Sequence, residues 1–223
     1  MSNNSEQPKS EGFLYNVLSG LVVLGSLVAG ALAYPNLPAR VPMHWNLAGQ
    51  VDRYSSAFAG AFMMPLMLAG IFLLMVVIPK LDPRAGNYLK MGRVYAIIRF
   101  CILLVLATLH LGLLGAALGY GDIVPHLASG GVGLLIFIMG NYFGKVKYNY
   151  TFGLRTPWTL ASEQVWYRTH RAMGPLWMLG GFLLAAASFV PVSFRIPLFG
   201  ISLSILIIAP MAYSYVIFRR LER

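Results

Sequence analysis

The sequence predicts an all-α, polytopic integral membrane protein with six transmembrane helices. Of its 223 residues, 58% are hydrophobic and only 11% are charged, whereas soluble domains carry about 25% charged residues. A hydrocarbon core about 30 Å thick needs roughly 20 apolar residues per helix. Six stretches meet this requirement: Phe13–Ala33, Phe58–Ile78, Val94–Leu118, Ile123–Phe143, Gly174–Val190 and Ile196–Phe218. We therefore expect a multi-pass protein of the plasma membrane without a separate soluble domain.

The basic residues are unevenly distributed between the connecting segments. With the N-terminus placed in the cytoplasm, the outer segments hold only Arg40, Arg53 and Arg195, while Arg99 lies inside the third span. All remaining lysines and arginines then fall on the cytoplasmic side. Because cytoplasmic loops carry the excess of Lys and Arg, this bias predicts that both termini are cytoplasmic. The net charge of +10 is explained by topology and by attraction to membrane lipid, so we expect no direct nucleic-acid partner.

The segments between the spans differ in character. Residues 1–12 form a polar cytoplasmic tail. The outer loop 34–57 contains three prolines, which disfavour a helix and favour an extended or turning path. A basic inner loop, Lys80–Arg93, follows the second span, and short outer turns join spans three and four and spans five and six.

The long inner loop Gly144–Met173 contains its own helix signal. Thr156 is a predicted N-cap, and Pro157 occupies the first helical position, where its missing N–H costs nothing. Apolar and aromatic residues then recur at three- and four-residue spacing. This pattern predicts an amphipathic interfacial helix between transmembrane helices 4 and 5, with Trp158 and Trp166 at headgroup depth.

Two segments resemble known families. Residues 34–46, which read Tyr-Pro-Asn-Leu-Pro-Ala-Arg-Val-Pro-Met-His-Trp-Asn, with Gly49 and Asp52 after them, resemble the signature of the DUF1648 domain. Resemblance to the SdpI family rests on Gly-Asn-Tyr-Phe-Gly-Lys at 140–145, Asn149, Gly-Leu-Arg-Thr-Pro-Trp-Thr-Leu at 153–160, Ser162, Glu163, Trp166 and Thr-His-Arg at 169–171.

These resemblances suggest a division of the chain into five segments. A polar cytoplasmic tail covers 1–12, and a DUF1648-like segment with helices 1 and 2 and the outer loop covers 13–80. Connecting helix 3 covers 81–122. An SdpI-like segment with helices 4 and 5 and the inner loop covers 123–192, and helix 6 with a basic C-terminal tail covers 193–223.

Resemblance to the SdpI family implies a bacterial membrane protein that confers immunity to a secreted, membrane-active peptide toxin. Members can also signal, by drawing a transcriptional repressor to the membrane when toxin is bound. The partners implied for this chain are therefore membrane lipid, a secreted peptide toxin and a cytoplasmic transcriptional repressor. We expect no enzymatic activity.

The outer loop supplies five candidate ligand-binding residues, His44, Trp45, Asn46, Gly49 and Asp52. One interpretation is a rigid external cap in which Asn46 and Asp52 bond the turn backbone. Another is capture of a ligand, because an extended loop carrying an aromatic side chain can hold a peptide by backbone pairing and stacking. The sequence leaves both open.

The inner loop supplies candidates for partner docking or for structure: Asn141, Lys145, Asn149, Arg155, Thr156, Pro157, Trp158, Glu163, Trp166, His170 and Arg171. Basic exposed loops are common docking surfaces, whereas a membrane anchor would need only basic and aromatic residues. Glu163 and His170 share a helical face, and a hydrogen-bonded pair between them would fix the helix rather than catalyse a reaction.

A membrane enzyme with an external zinc site is the first alternative. His110 lies late in the third span and His126 early in the fourth, with His44, Asp52 and Asp122 in the outer segments. Zinc catalysis needs three protein ligands and an open position. Because the histidines are scattered rather than spaced as HExxH, we expect neither a metal nor another cofactor.

A small-solute transporter is the second alternative. All acidic residues lie outside the middle of the spans, whereas proton-coupled transporters relay through buried carboxylates. The one charged side chain within a span, Arg99, lies about 9 Å deep at 1.5 Å per residue, and we expect it to extend back to the inner interface. Tyr95 shares its helical face, which suits contact with a phosphate or a carbonyl.

Overall fold

The computed structural model describes residues 7–121 and 123–222, which form eight helices and one β-hairpin. The helices are α1 (Gln7–Ala33), α2 (Ala57–Leu81), α3 (Ala85–Met91), α4 (Arg93–Ala117), α5 (Val124–Tyr142), α6 (Pro157–Ala161), α7 (Glu163–Ala186) and α8 (Val192–Leu221). The strands are β1 (Arg40–Trp45) and β2 (Val51–Ser56). Short 3₁₀ turns follow α1, α5 and α7.

Six helices, α1, α2, α4, α5, α7 and α8, are long and apolar enough to cross a membrane. Large apolar side chains on their outward faces are exposed, among them Leu21, Leu73, Phe182 and Ile208. Because soluble proteins rarely expose apolar surface on this scale, lipid is the environment that fits these faces. The all-α, six-span, multi-pass prediction is confirmed. Which end of the bundle faces the cytoplasm stays a prediction.

The spans pack as two groups, α1 with α2 and α4, and α5 with α7 and α8, joined where α4 meets α5. Glycine allows α5 and α7 to approach backbone to backbone. A Cβ added at Gly140 would lie 2.7 Å from the carbonyl oxygen of Gly174, and one at Gly133 would lie 2.6 Å from that of Gly181. Small residues at such positions permit close helix packing without a hydrophobic driving force.

The outer loop forms an antiparallel hairpin, with Val41 opposite Ser55 and irregular pairing around His44. Val41 is fully buried against α4. A Cβ at Gly60 of α2 would lie only 2.6 Å from Val41 Cγ1, so the missing side chain makes room for this contact. Ser56 then caps α2 by accepting from the Ala59 N–H. The hairpin is thereby held onto α2 and α4.

The N-terminal helix begins earlier than the sequence predicted. The polar tail assigned to residues 1–12 falls partly outside the described residues, and from Gln7 onward it is helical. Asp122, in the outer turn before α5, also lies outside the described part of the chain.

The inner loop differs in extent from the single interfacial helix that the sequence predicted. The helix begins at the predicted cap, Thr156, but ends at Ala161. Ser162 then caps a second helix, α7, by accepting from the Val165 N–H, and α7 continues across the membrane. Trp166, predicted at headgroup depth, is fully buried, because the loop folds over it.

Candidate functional site

A cavity of about 420 Å³ lies beneath the tip of the β-hairpin. Every spanning helix except α1 contributes to its wall, which includes Met64, Leu109, Val132, Leu184 and Phe199 together with hairpin residues 43–47. Pockets for small ligands commonly measure about 300–1,000 Å³ and are mostly apolar with a few polar groups. The cavity has this character.

Arg195 contributes a charged side chain to the cavity wall. Its Nη2 donates to the Val190 carbonyl at 3.5 Å, while its Nε is buried and has no hydrogen-bond partner among the described residues. A guanidinium group binds carboxylate and phosphate oxygens strongly because its hydrogen bonds are charge-assisted. The cavity is therefore suited to an apolar ligand that also carries an anionic or carbonyl group.

The hairpin tip combines turn-forming residues with residues that face the cavity. The Asn46 N–H donates to the Gln50 carbonyl (2.9 Å), and Asn46 Oδ1 accepts from the Gln50 N–H (3.0 Å). Gly49 completes the turn with φ 83°, a conformation that favours glycine. Asp52 binds the His44 ring, Oδ1 to Nδ1 at 2.5 Å, rather than the turn backbone. His44, Trp45 and Asn46 also line the cavity.

The three histidines of the candidate zinc site, His44, His110 and His126, are not brought together. His110 is fully buried, with Nδ1 at 2.8 Å from Ser26 Oγ and Nε2 at 3.2 Å from the Gly60 carbonyl. Both of its ring nitrogens are therefore engaged within the bundle. Among residues 7–121 and 123–222, no group of three His, Cys, Asp or Glu side chains is placed to hold a metal ion.

At the opposite end of the bundle, Asn149 organises the loop between α5 and α6. It is fully buried, and its Nδ2 donates to the carbonyls of Lys147 (2.8 Å) and Phe152 (2.9 Å). Its Oδ1 accepts from the N–H groups of Thr151 (2.9 Å) and Phe152 (2.7 Å). An amide that satisfies four loop groups in this way holds the loop in one conformation.

Trp166 and His170 of α7 form hydrogen bonds to the backbone of the same loop. Trp166 Nε1 donates to the Val146 carbonyl at 3.1 Å, and His170 Nε2 accepts from the Leu154 N–H at 2.9 Å. The two rings stack with their centroids 4.2 Å apart. The predicted pair between Glu163 and His170 is replaced by these bonds, because His170 faces the loop and Glu163 is exposed.

Thr156 connects the loop to α8. It forms a capping box with Thr159 and also bonds Ser214 Oγ at 2.9 Å. Trp158 packs against Tyr215, with ring centroids 5.1 Å apart. The other inner-loop candidates are exposed: Asn141, Lys145, Arg155, Pro157, Glu163 and Arg171. The candidates thus divide into a buried framework and an exposed, largely basic surface.

Two family models match the segments that build these two ends. The SdpI/YfhL protein family matches residues 145–214, and the domain of unknown function DUF1648 matches residues 21–69. The chain is also 26% identical over 174 residues to Immunity protein SdpI of Bacillus subtilis (strain 168), covering 78% of the chain and 81% of that relative. The resemblance to the SdpI/YfhL family that the sequence predicted is thereby confirmed. No solved structure matches the chain.

A polar cluster around Asp82 was not predicted from the sequence. The buried carboxylate accepts from the N–H groups of Arg84 (2.8 Å) and Tyr150 (3.0 Å) and from the Tyr88 hydroxyl (3.0 Å). Burial raises the pKa of Asp82, but these hydrogen bonds and one from Thr151 outweigh burial, so the pKa lies below its ordinary value.

Arg84 reinforces the Asp82 cluster from outside. Its guanidinium carbon lies 3.5 Å from the Tyr148 ring centroid and 4.0 Å from that of Tyr150, within the range of cation–π contacts. The cluster therefore joins the α2–α3 connection to the α5–α6 loop. The available signal was that Asp82 is the single acidic residue in the basic segment Lys80–Arg93.

Proposed function

We propose that this protein protects the membrane against a secreted, membrane-active peptide toxin by binding the peptide in the cavity beneath the hairpin. The observation that carries the proposal is the apolar cavity of about 420 Å³ with Arg195 in its wall. The name of the Bacillus subtilis relative, Immunity protein SdpI, supports an immunity role.

Apolar side chains of the peptide would fill the space lined by Leu109, Val132 and Phe199. Burying apolar surface contributes roughly 25 cal/mol per Å², and Arg195 would pair with a carboxylate or carbonyl of the peptide. His44 and Trp45, at the hairpin edge of the cavity, would contact the part of the peptide that remains outside. A peptide held in this way is unavailable to disorder lipid, so sequestration alone would give immunity.

Signalling to a cytoplasmic repressor would use the exposed basic surface that includes Lys145, Arg155 and Arg171. α5 and α7 contribute Val132 and Leu184 to the cavity, and the exposed inner loop runs between the same two helices. A ligand shifts a conformational equilibrium only when it binds one state better. Peptide binding between α5 and α7 could therefore change which part of the loop is exposed to a repressor.

A survival assay tests the immunity proposal. Cells expressing the wild-type chain are challenged with a panel of secreted, membrane-active bacterial peptides and compared with cells lacking it. Ala128→Phe places a ring in the cavity, whereas Leu134→Phe changes an exposed residue of the same helix that does not line it. We expect Ala128→Phe to lose most of the protection and Leu134→Phe to retain it.

Equal killing with and without the chain across the panel would remove the immunity proposal for those peptides. If the chain protects but Ala128→Phe protects equally well at matched membrane levels, immunity stands and the cavity is not the binding site.

Docking is tested separately with the double variant Arg155→Glu and Arg171→Glu. We expect survival to be unchanged, because neither residue lines the cavity. Where a small repressor is encoded beside this chain, a fluorescent fusion of that repressor should move to the membrane under toxin in wild-type cells and stay diffuse in the variant. A repressor that stays diffuse in wild-type cells would contradict docking without affecting sequestration.

A further inference from the structure

We propose that a second cavity, beside Arg99, binds the phosphate group of a membrane phospholipid. This cavity measures about 440 Å³ and lies at the end of the bundle where α1 begins, far along α4 from the hairpin. Its wall includes Asn16 of α1, Pro79 of α2, Leu89 of α3, and Tyr95 and Arg99 of α4.

The buried charge of Arg99 has no counter-ion among the described side chains. The side chain is 4% exposed and faces a cavity at the end of the bundle where α1 and α4 begin. One Nη donates to Asn16 Oδ1, and the guanidinium carbon lies 5.5 Å from the Phe72 ring centroid. Among the residues that the structure describes, its buried Nε has no hydrogen-bond partner and no carboxylate lies within ion-pair distance.

Burying a cation without a paired anion costs free energy, so binding of an anion beside Arg99 would stabilise the fold. A guanidinium group has five N–H donors, of which the described residues satisfy one. Buried charges in proteins are normally paired, since the desolvation penalty is several kcal/mol per ion. The space that the anion would occupy is present, because Arg99 itself lines the cavity.

The two tyrosine hydroxyls in the wall do not compete for this role, and that of Tyr88 donates to Asp82 at 3.0 Å. The Tyr95 hydroxyl donates to the Met75 carbonyl at 2.9 Å, so it shapes the wall and holds α4 against α2. Arg99 is thus the cation that faces the cavity, and its planar fork matches the oxygens of a phosphate better than an ammonium group would.

The mouth of the cavity favours a lipid over a free anion. Phe13 and Leu89 line it and are 68% and 85% exposed. Lipid phosphates lie at the membrane interface, the depth at which the first and third spans begin. An acyl chain could pack against Phe13 and Leu89 while the phosphate pairs with Arg99. A free phosphate would gain nothing from this apolar rim.

Binding is tested on the purified full-length chain in detergent, with phosphatidylglycerol as the probe. Native mass spectrometry measures bound lipid, and thermal unfolding measures the stabilisation that a ligand of the folded state produces. We expect Arg99→Gln to weaken phosphatidylglycerol binding by about ten- to a hundredfold, the range of a charge-assisted hydrogen bond. Arg219→Gln, at an exposed arginine of α8, should bind as the wild type does.

Two further ligands distinguish the source of the phosphate. Dioleoylglycerol has the acyl chains without the phosphate, and glycerol 3-phosphate has the phosphate without the chains. We expect each to stabilise the protein less than phosphatidylglycerol does. Equal stabilisation by dioleoylglycerol would overturn the role of Arg99, and equal stabilisation by glycerol 3-phosphate would show a soluble-anion site instead.

A second variant keeps the test decisive if Arg99→Gln does not fold. A Cβ at Gly12 meets no atom within 4 Å, so Gly12→Leu should fold and should project into the cavity that Gly12 lines. We expect it to reduce phosphatidylglycerol binding with Arg99 intact. The proposal would be overturned if Gly12→Leu bound phosphatidylglycerol as tightly as the wild type does, or if a folded Arg99→Gln did so.

Discussion

His170 Nε2 accepts a hydrogen bond from the backbone N–H of Leu154 at 2.9 Å, across sixteen residues of chain. His170 belongs to a membrane-spanning helix and Leu154 to the loop before α6, so the bond ties the loop to the bundle. Because Nε2 is the acceptor, the neutral ring carries its proton on Nδ1, which donates to the Trp166 carbonyl at 2.9 Å. The histidine is a structural group with both nitrogens satisfied.

Removing this ring should destabilise the loop. In His170→Ala the Leu154 N–H, which is buried, loses its acceptor, and the Trp166 indole loses the ring stacked on it. An unsatisfied buried donor costs about 1–3 kcal/mol, and the space left behind adds to this. We expect a loss of about 2–4 kcal/mol in the free energy of unfolding, measured by denaturant titration of the detergent-purified protein.

Arg168→Ala is the matched control for His170→Ala, since it truncates an exposed side chain on the same helix and should change stability by no more than about 0.5 kcal/mol. Equal stability of the two variants would show that the bond to Leu154 does not hold the loop.

The Asp82 cluster predicts an acid-dependent stability. Because the folded-state pKa of Asp82 lies below its ordinary value, the carboxylate stabilises the fold at every pH above the unfolded-state pKa near 4. This contribution disappears as the pH falls through the folded-state pKa. Asp82→Asn lacks it at all pH values, so the Tm gap between wild type and variant should be constant from about pH 8 to pH 5 and should narrow below about pH 4.

Thermal unfolding of both proteins between pH 8 and pH 3 measures this gap. Asp52→Asn serves as the control, because the Asp52 carboxylate is exposed and its partner in the described structure, His44, is exposed as well. A Tm gap between wild type and Asp82→Asn that persists unchanged to pH 3 would mean that ionisation of Asp82 does not stabilise the fold.

Features that depend on neighbouring residues could be predicted from the sequence. The six spans follow from apolar length, and the start of α6 follows from Thr156 and Pro157, whose cap and first-turn roles are local. The turn residues Asn46 and Gly49 are likewise recognisable, because an Asx side chain and a glycine with positive φ act within a few positions.

Features that depend on pairing of distant residues could not be predicted. Asp82 accepts a hydrogen bond from Tyr150, which lies 68 positions away in the sequence. Hydrophobic periodicity along one helix does not indicate a partner on a distant segment. Trp166 illustrates a second limit, because an amphipathic pattern shows that one helical face is apolar without showing whether lipid headgroups or protein covers it. The surroundings of the Arg99 charge could not be predicted either, because its hydrogen-bond partner Asn16 lies on another helix.

Close packing of α5 on α7 predicts that Gly140→Ala is destabilising. The added Cβ would lie 2.7 Å from the Gly174 carbonyl oxygen, so the helices must move apart, and overpacking of this kind costs about 1–3 kcal/mol. Gly144→Ala is the control, because a Cβ there meets nothing within 4 Å. Denaturant titration should separate the two variants, and equal stability would show that α5 and α7 tolerate a wider spacing.

The predicted orientation, with both termini in the cytoplasm, governs both proposed interactions. Toxin capture needs the hairpin outside, and repressor docking needs the α5–α6 loop inside. With Cys101, the chain's one cysteine, replaced by serine, single cysteines at Ala48 and Ala161 would report the two ends, since both positions are exposed. A membrane-impermeant maleimide applied to intact cells should label Ala48→Cys. Ala161→Cys should react only after permeabilisation, and the reverse pattern would contradict both proposed interactions while leaving the six-span fold intact.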